Sequence, residues 1–174
     1  MSTFFYFAYG SNLLRQRLLL MNPTAVYRDI AQLKDYGLHF ISPSEFPRWR
    51  GGAASIEDKP NSSIWGVVWE LGEADSDSLD RQESCYDRLE VTVSSKEGKT
   101  YTCRTYKMKQ GIYQPGVDNR PSPQYKDVIV RGARQNGLPS EYITELAKIE
   151  DNGYSGHVQV YEDVLKLLKN EVKQ

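Results

Sequence analysis

Phe4-Phe5-Tyr6-Phe7-Ala8-Tyr9-Gly10-Ser11-Asn12-Leu13-Leu14 is the stretch on which the fold turns. The aromatic run from Phe4 to Tyr9 is too short for a typical helix and suits a strand buried on both faces. It stops at Gly10, where the missing side chain lets another group approach closely. A leucine-rich periodic segment, residues 13–21, follows as a helix, with Ser11 or Asn12 placed to cap it. A strand that ends in a glycine turn at a helix start offers unpaired backbone N–H groups to an anion, or to a carbonyl oxygen about to become one. Such turns also serve as plain connections, and local sequence does not separate the two.

Working outward, Asn22-Pro23 breaks the first helix. Residues 25–31 and 38–41 read as two strands with a turn near Asp35-Tyr36-Gly37. Residues 42–50 carry two prolines and form a loop, with Trp49 placed either to close over a pocket or to pack. Small residues at 51–55 lead into a strand, Asp58-Lys59-Pro60-Asn61-Ser62 reads as a turn, and residues 64–71 are the strongest strand signal in the chain. Residues 73–86 then take a helical period, capped by Asp75 or Ser76. Leu79 is their only large aliphatic side chain, and Glu83 lies one turn behind it on the same face. Asp80 and Arg81 point elsewhere as surface charges. A carboxylate on a buried stripe is either solvated at the end of a loosely docked helix or held for a purpose, and burial would raise its pKa toward that of a useful base.

Residues 89–93 and 101–108 form a hairpin about Glu97-Gly98-Lys99, with Cys103 and Thr105 on one face. Residues 111–120 are an exposed loop. Pro121-Ser122-Pro123 opens a helix that buries Tyr125, Val128, Ile129 and Ala133 and ends at Asn136-Gly137. Two more helices follow over residues 139–149 and 158–168, and residues 169–174 should fray. These elements describe one α+β domain over residues 1–174.

Composition narrows the function. A net charge of −1 over 174 residues carries no nucleic-acid footprint. No stretch approaches the ~20 apolar residues of a membrane span, and no signal-peptide pattern opens the chain. Cys85 and Cys103 do not make a disulfide framework and fit reduced thiols in a cytoplasmic protein. Cys103, with no flanking histidine, reads as a buried small residue. With only His39 and His157 beside them, no metal-ligand spacing exists. The twelve tyrosines are many for this length, enough for some to line a pocket.

Six segments in order carry a resemblance: Phe7-Ala8-Tyr9-Gly10-Ser11-Asn12-Leu13, Trp65-Gly66-Val67-Val68-Trp69, Leu79-Asp80-Arg81-Gln82-Glu83, Cys103-Arg104-Thr105-Tyr106, Pro121-Ser122-Pro123-Gln124-Tyr125-Lys126 and Asn136-Gly137-Leu138-Pro139. Over nearly the whole chain the sequence resembles the gamma-glutamylcyclotransferase family, in particular its animal cytosolic branch. The resemblance implies a small mixed β-barrel with surrounding helices, usually a homodimer and free of cofactor or metal. Its members act in glutathione metabolism on a gamma-glutamyl amino acid or dipeptide, forming 5-oxoproline and a free amino acid. Carried over by motif, Glu83 resembles the catalytic carboxylate, and Tyr9, Gly10, Ser11, Asn12 and Leu13 resemble the substrate-binding turn. Tyr106 resembles a tyrosine at the substrate. Where the family usually has Gly directly after that glutamate, this chain has Glu83-Ser84-Cys85-Tyr86. Two other readings stand beside this one: a cyclotransferase for gamma-glutamylamines, and a catalytically silent ligand- or partner-binding protein on the same fold.

Overall fold

Five strands close into a barrel in the order β1-β3-β2-β4-β5, in a computed structural model that describes residues 2–43 and 48–172. The strands are β1 (Thr3–Ala8), β2 (Val26–Ile41), β3 (Ala53–Gly72), β4 (Tyr86–Ser94) and β5 (Thr100–Met108). All neighbours are antiparallel except β1 and β5, which meet in parallel at Tyr6 and Arg104, so the barrel is mixed as expected. Tyr6, Phe7 and Ala8 in β1, and Val67, Val68 and Trp69 facing them in β3, are buried without alternation. Both faces of these strands are therefore covered, one by the barrel interior and the other by packed turns and helices.

The helices are α1 (Arg15–Leu19), α2 (Ser76–Gln82), α3 (Pro123–Gln135), α4 (Ser140–Ala147) and α5 (Gln159–Val172). Ser122 caps α3 by accepting from the Tyr125 N–H at 3.1 Å, and Gly137, at φ 69°, ends that helix in the left-handed region. Residues 169–171 do not fray. Glu171 accepts from Arg15 and Gln16, tying the end of α5 to α1.

Three local expectations are corrected. Residues 25–31 and 38–41 are one strand, and the predicted turn at residues 58–62 lies inside β3. Lys34 pairs with Ser63 and Tyr36 with Asp58, so residues 59–62 bulge out opposite Asp35 alone. Asp35 and Asn61 both take positive φ, 66° and 67°, and the Asp35 carboxylate accepts from the Asn61 N–H at 3.1 Å. Turn-forming residues in both strands thus make a paired irregularity, after which the ladder resumes. The helix expected from residue 13 is a one-turn 3₁₀ segment (Ser11–Leu13) followed by the five-residue α1, and neither Ser11 nor Asn12 caps it. Asp75 stands at the start of α2 but its carboxylate accepts from Thr24 instead of capping. Of the loop expected at residues 42–50, residues 44–47 lie outside the described residues.

Candidate functional site

Glu83 sits where α2 stops. Leu79, fully buried, anchors the helix, and the Glu83 N–H donates to the Leu79 carbonyl at 3.0 Å. The Tyr86 N–H then donates back to the Glu83 carbonyl at 3.0 Å, and β4 begins. The helix does not reach Tyr86 as the periodicity suggested. Glu83 instead occupies the break, with backbone bonds on both sides fixing its direction. Asp80, read from sequence as a plain surface charge, docks α2 on the barrel. It accepts from the Tyr106 hydroxyl at 2.6 Å and pairs with Arg88 at 3.2 Å and Arg104 at 3.7 Å.

Across from Glu83 lies the turn after β1. Leu13 donates to the Gly10 carbonyl and Leu14 to the Ser11 carbonyl, so the N–H groups of Gly10, Ser11 and Asn12 have no backbone partner among the described residues. The helical segments behind the turn are too short to carry much of a dipole, and any affinity for an anion rests on these three donors. Gly10 is needed for close approach. A Cβ there would lie 3.2 Å from the Ala54 Cβ and 3.3 Å from the Tyr125 hydroxyl.

A cavity of about 290 Å³ separates the two segments. Tyr9, Gly10, Ser11 and Asn12 form one wall, and Glu83, Ser84 and Cys85 another. Five tyrosines line it: Tyr6, Tyr9, Tyr86, Tyr106 and Tyr125. Leu13 is not in the wall. It is buried behind it, against α3, where a Cβ on Gly132 would lie 2.6 Å from the Leu13 Cβ. The structure therefore brings Glu83, Tyr9, Gly10, Ser11, Asn12 and Tyr106 around one space and leaves Leu13 as support.

A relay of side-chain amides joins the halves. Asn22 donates to Gln82 at 3.0 Å, Gln82 to the Asn12 carbonyl oxygen at 3.0 Å, and Asn12 to the Tyr6 hydroxyl at 3.0 Å and more weakly to Glu83 Oε1 at 3.4 Å. Trp69 Nε1 holds the Asn12 backbone carbonyl at 3.1 Å. This explains why Asn12 is no helix cap: its side chain is committed to the site. Two more tyrosines clamp Ala54. Tyr125 accepts from its N–H at 2.8 Å, and Tyr86 donates to its carbonyl at 2.7 Å.

Burial pushes the Glu83 carboxyl up from 4.5 to about 7, against the opposing pull of Arg17 and Arg48. Burial, reinforced by the Glu83 charge, holds the Tyr6 and Tyr9 phenols well above 10, so they act as neutral hydrogen-bonding groups. A carboxyl titrating near neutrality beside unpaired N–H donors can accept a proton from a bound group and return it within the same cavity. Cys103, by contrast, is buried in the barrel with its thiol pushed up to about 12, as a small core residue should be.

Sequence reading missed Arg17, Arg48 and Gln82, and placed Tyr125 only on an apolar face. For Arg17 a signal existed. It falls one turn after Leu13, on the apolar stripe, the same anomaly that singles out Glu83. Trp49, left open between closing a pocket and packing, does both. It is buried, lines the cavity and lies 5.1 Å from the Tyr125 ring centroid.

Residues 63–146 match the AIG2-like family. The chain is similar to gamma-glutamylcyclotransferase from Bos taurus, 46% identical over 98% of this chain and 91% of the relative. It is likewise similar to gamma-glutamylcyclotransferase from Mus musculus, 45% identical over 94% and 88%. A solved gamma-glutamyl cyclotransferase structure superposes with a TM-score of 0.87 at 41% identity, covering 97% of this chain and 99% of the other.

Proposed function

The chain belongs to the gamma-glutamylcyclotransferase family, and from that premise we propose that it converts gamma-glutamyl amino acids into 5-oxoproline and a free amino acid, with Glu83 moving the proton. The observation that carries the assignment of roles is the Glu83 carboxyl, pushed up to about 7, in a cavity whose facing wall is Gly10, Ser11 and Asn12.

The substrate's α-ammonium must become an amine before it can attack its own γ-carbonyl. Glu83, ionised, takes that proton. The amine nitrogen bonds to the γ-carbon, and the carbonyl electron pair moves onto its oxygen, where the N–H groups of Gly10, Ser11 and Asn12 offer hydrogen bonds. As the oxyanion collapses, the bond to the acceptor nitrogen breaks and Glu83 gives its proton to that nitrogen. Glu83 then takes the surplus proton of the positively charged ring nitrogen and passes it to the departing amine, so that a neutral lactam and an ammonium leave and Glu83 is ionised again. The ring-closing step is intramolecular, so the tyrosine-lined walls contribute mainly by folding the γ-glutamyl chain into a reactive shape. Tyr106 contributes its ring and its position, because its hydroxyl proton is already given to Asp80.

Unpaired Cys85 and Cys103 support a cytoplasmic location, and no described helix is long and apolar enough to cross a membrane. A homodimer completes the proposal; sedimentation of the purified protein tests it. The enzymatic reading is tested by incubating the protein with γ-glutamyl-alanine and ε-(γ-glutamyl)lysine and measuring 5-oxoproline. Release from the first and not the second supports the assignment. Glu83→Gln should abolish release with the fold intact, and unchanged turnover in that variant would refute Glu83 as the base.

A further inference from the structure

Arg17 is 3% exposed, yet among the described residues its guanidinium Nε has no hydrogen-bond partner and it takes part in none of the ion pairs. The head group lies in the cavity wall, 5.7 Å from the centroid of the Trp49 ring. Leaving a buried cation unpaired is costly, and a folded protein keeps one only where something else repays it. The stacking on Trp49 offsets a fraction of that cost. Burial lowers the Arg17 pKa to about 10, so the group is still a cation at neutral pH. Glu83 shares the cavity without closing on it: the two form no ion pair, and among the described residues the donor to the carboxylate is Asn12.

We propose that Arg17 binds the α-carboxylate of the γ-glutamyl group, as a forked guanidinium on a carboxylate inside the cavity. This rests on the reading of the chain as a cyclotransferase and adds how its substrate is recognised. The argument is one of placement. The α-carbon of the substrate carries both the ammonium and the carboxylate. If the ammonium is delivered to Glu83, the carboxylate must come to rest beside Glu83 in the same cavity. Two cations line that space, Arg17 and Arg48. Arg48 is exposed, whereas Arg17 is buried. The α-carboxylate is the anionic group every γ-glutamyl substrate shares, while the acceptor part varies. The buried cation, fixed by its packing, suits the invariant group, and a planar fork fits a carboxylate with two parallel hydrogen bonds. The exposed one at the edge is free to meet varied acceptors.

The test is equilibrium binding of 5-oxoproline and of its primary amide, 5-oxoprolinamide, by calorimetry, to the parent protein, Arg17→Met and Arg17→Lys. The parent should prefer the acid by about 10- to 100-fold, the range for a charge-assisted pair. In Arg17→Met that preference should collapse, through weaker binding of the acid with the amide unchanged. Arg17→Lys should fall between, keeping charge and losing the fork. KM for γ-glutamyl-alanine should rise in Arg17→Met by a similar factor, and KM for its α-amide should stay put. A preference that survives in Arg17→Met, or equal weakening of acid and amide in both variants, overturns the proposal. Should Arg17→Met fail to fold, Arg17→Lys carries the same comparison. The outcomes also separate the two readings. Acid selectivity lost with Arg17 in a protein that never releases 5-oxoproline would uphold the binding role and defeat the enzymatic one. Turnover with selectivity untouched by Arg17 would do the reverse.

Discussion

Glu83→Gln should stabilise this protein above neutral pH while removing its activity, and the size of the gain can be worked from the site. The Glu83 carboxyl is raised in the folded state from 4.5 to about 7, first by burial, with Arg17 and Arg48 acting against it. A carboxyl whose folded pKa is raised binds more protons folded than unfolded between those two values. Stability contributed by this residue therefore falls as pH rises from 4.5 to about 7, and the penalty is constant above that. The interval is worth about 3 kcal/mol for a carboxyl that meets no water when folded. Glu83 borders a cavity of about 290 Å³, room enough for water, which lowers the cost, so on the order of 1–3 kcal/mol is expected. Glutamine has the same shape and no charge to desolvate. Urea denaturation of parent and variant at pH 5 and pH 8 should show the stability difference shifting in favour of Glu83→Gln by that amount at the higher pH. In parallel, 5-oxoproline release should drop by about 10²- to 10⁴-fold, the usual contribution of a general base. If Glu83 were held by Arg17 in an ion pair, its folded pKa would be depressed and the trend would have the opposite sign. A difference that does not change with pH, or that moves toward the parent at pH 8, refutes the burial argument.

Three further outcomes follow from the same geometry. Tyr125→Phe leaves the Ala54 N–H without its acceptor in a buried site, and should cost about 1–3 kcal/mol in urea melts. Gly132→Ala would put a Cβ 2.4 Å from the Leu14 nitrogen and 2.5 Å from the Leu13 carbonyl carbon. It should destabilise by about 1–3 kcal/mol and raise KM by displacing the turn, whereas a variant with wild-type stability and KM would show that α3 does not support that turn. Cys85 is partly exposed in the cavity wall and Cys103 is buried with a thiol pushed up to about 12. A maleimide should therefore label Cys85 first, and saturating 5-oxoproline should slow that labelling; mass spectrometry of the adduct checks both.

What was legible in the sequence was local or periodic. The barrel's best strand, the capped start of α3 and the Gly98 hairpin all announce themselves within a few residues. Glu83 was legible because it breaks a rule, standing one turn from the only aliphatic anchor of its helix. What stayed hidden depended on partners far along the chain. Asp35-Tyr36-Gly37 and the residues at 58–62 have the chemistry of turns, and a turn or a paired bulge satisfies them equally. Only the opposing strand decides, and it lies more than twenty residues away. Asn12 and Asp75 have the chemistry of helix caps, but Gln82, Tyr6 and Thr24 compete for their side chains and win. With α1 only five residues long, the turn after β1 acts through three N–H groups that take no backbone partner among the described residues, and not through a helix dipole.

Arg17 breaks the same rule as Glu83. Both are charged residues on apolar stripes, but the five leucines around Arg17 mask its anomaly, whereas the lone Leu79 of α2 exposes that of Glu83. The two anomalies have opposite sign and open into one cavity, yet they do not pair. A salt bridge between them would have relieved both desolvation costs at once, so their separation has to be held by the rest of the fold. Asn12 engages the carboxylate, and Trp49 lies over the guanidinium. Opposite charges held apart in one pocket favour a ligand that carries both signs on one atom's substituents. An α-amino acid head group is such a ligand. The charge pattern of the cavity thus fits the head group that every γ-glutamyl substrate carries, and swapping either charge tests it.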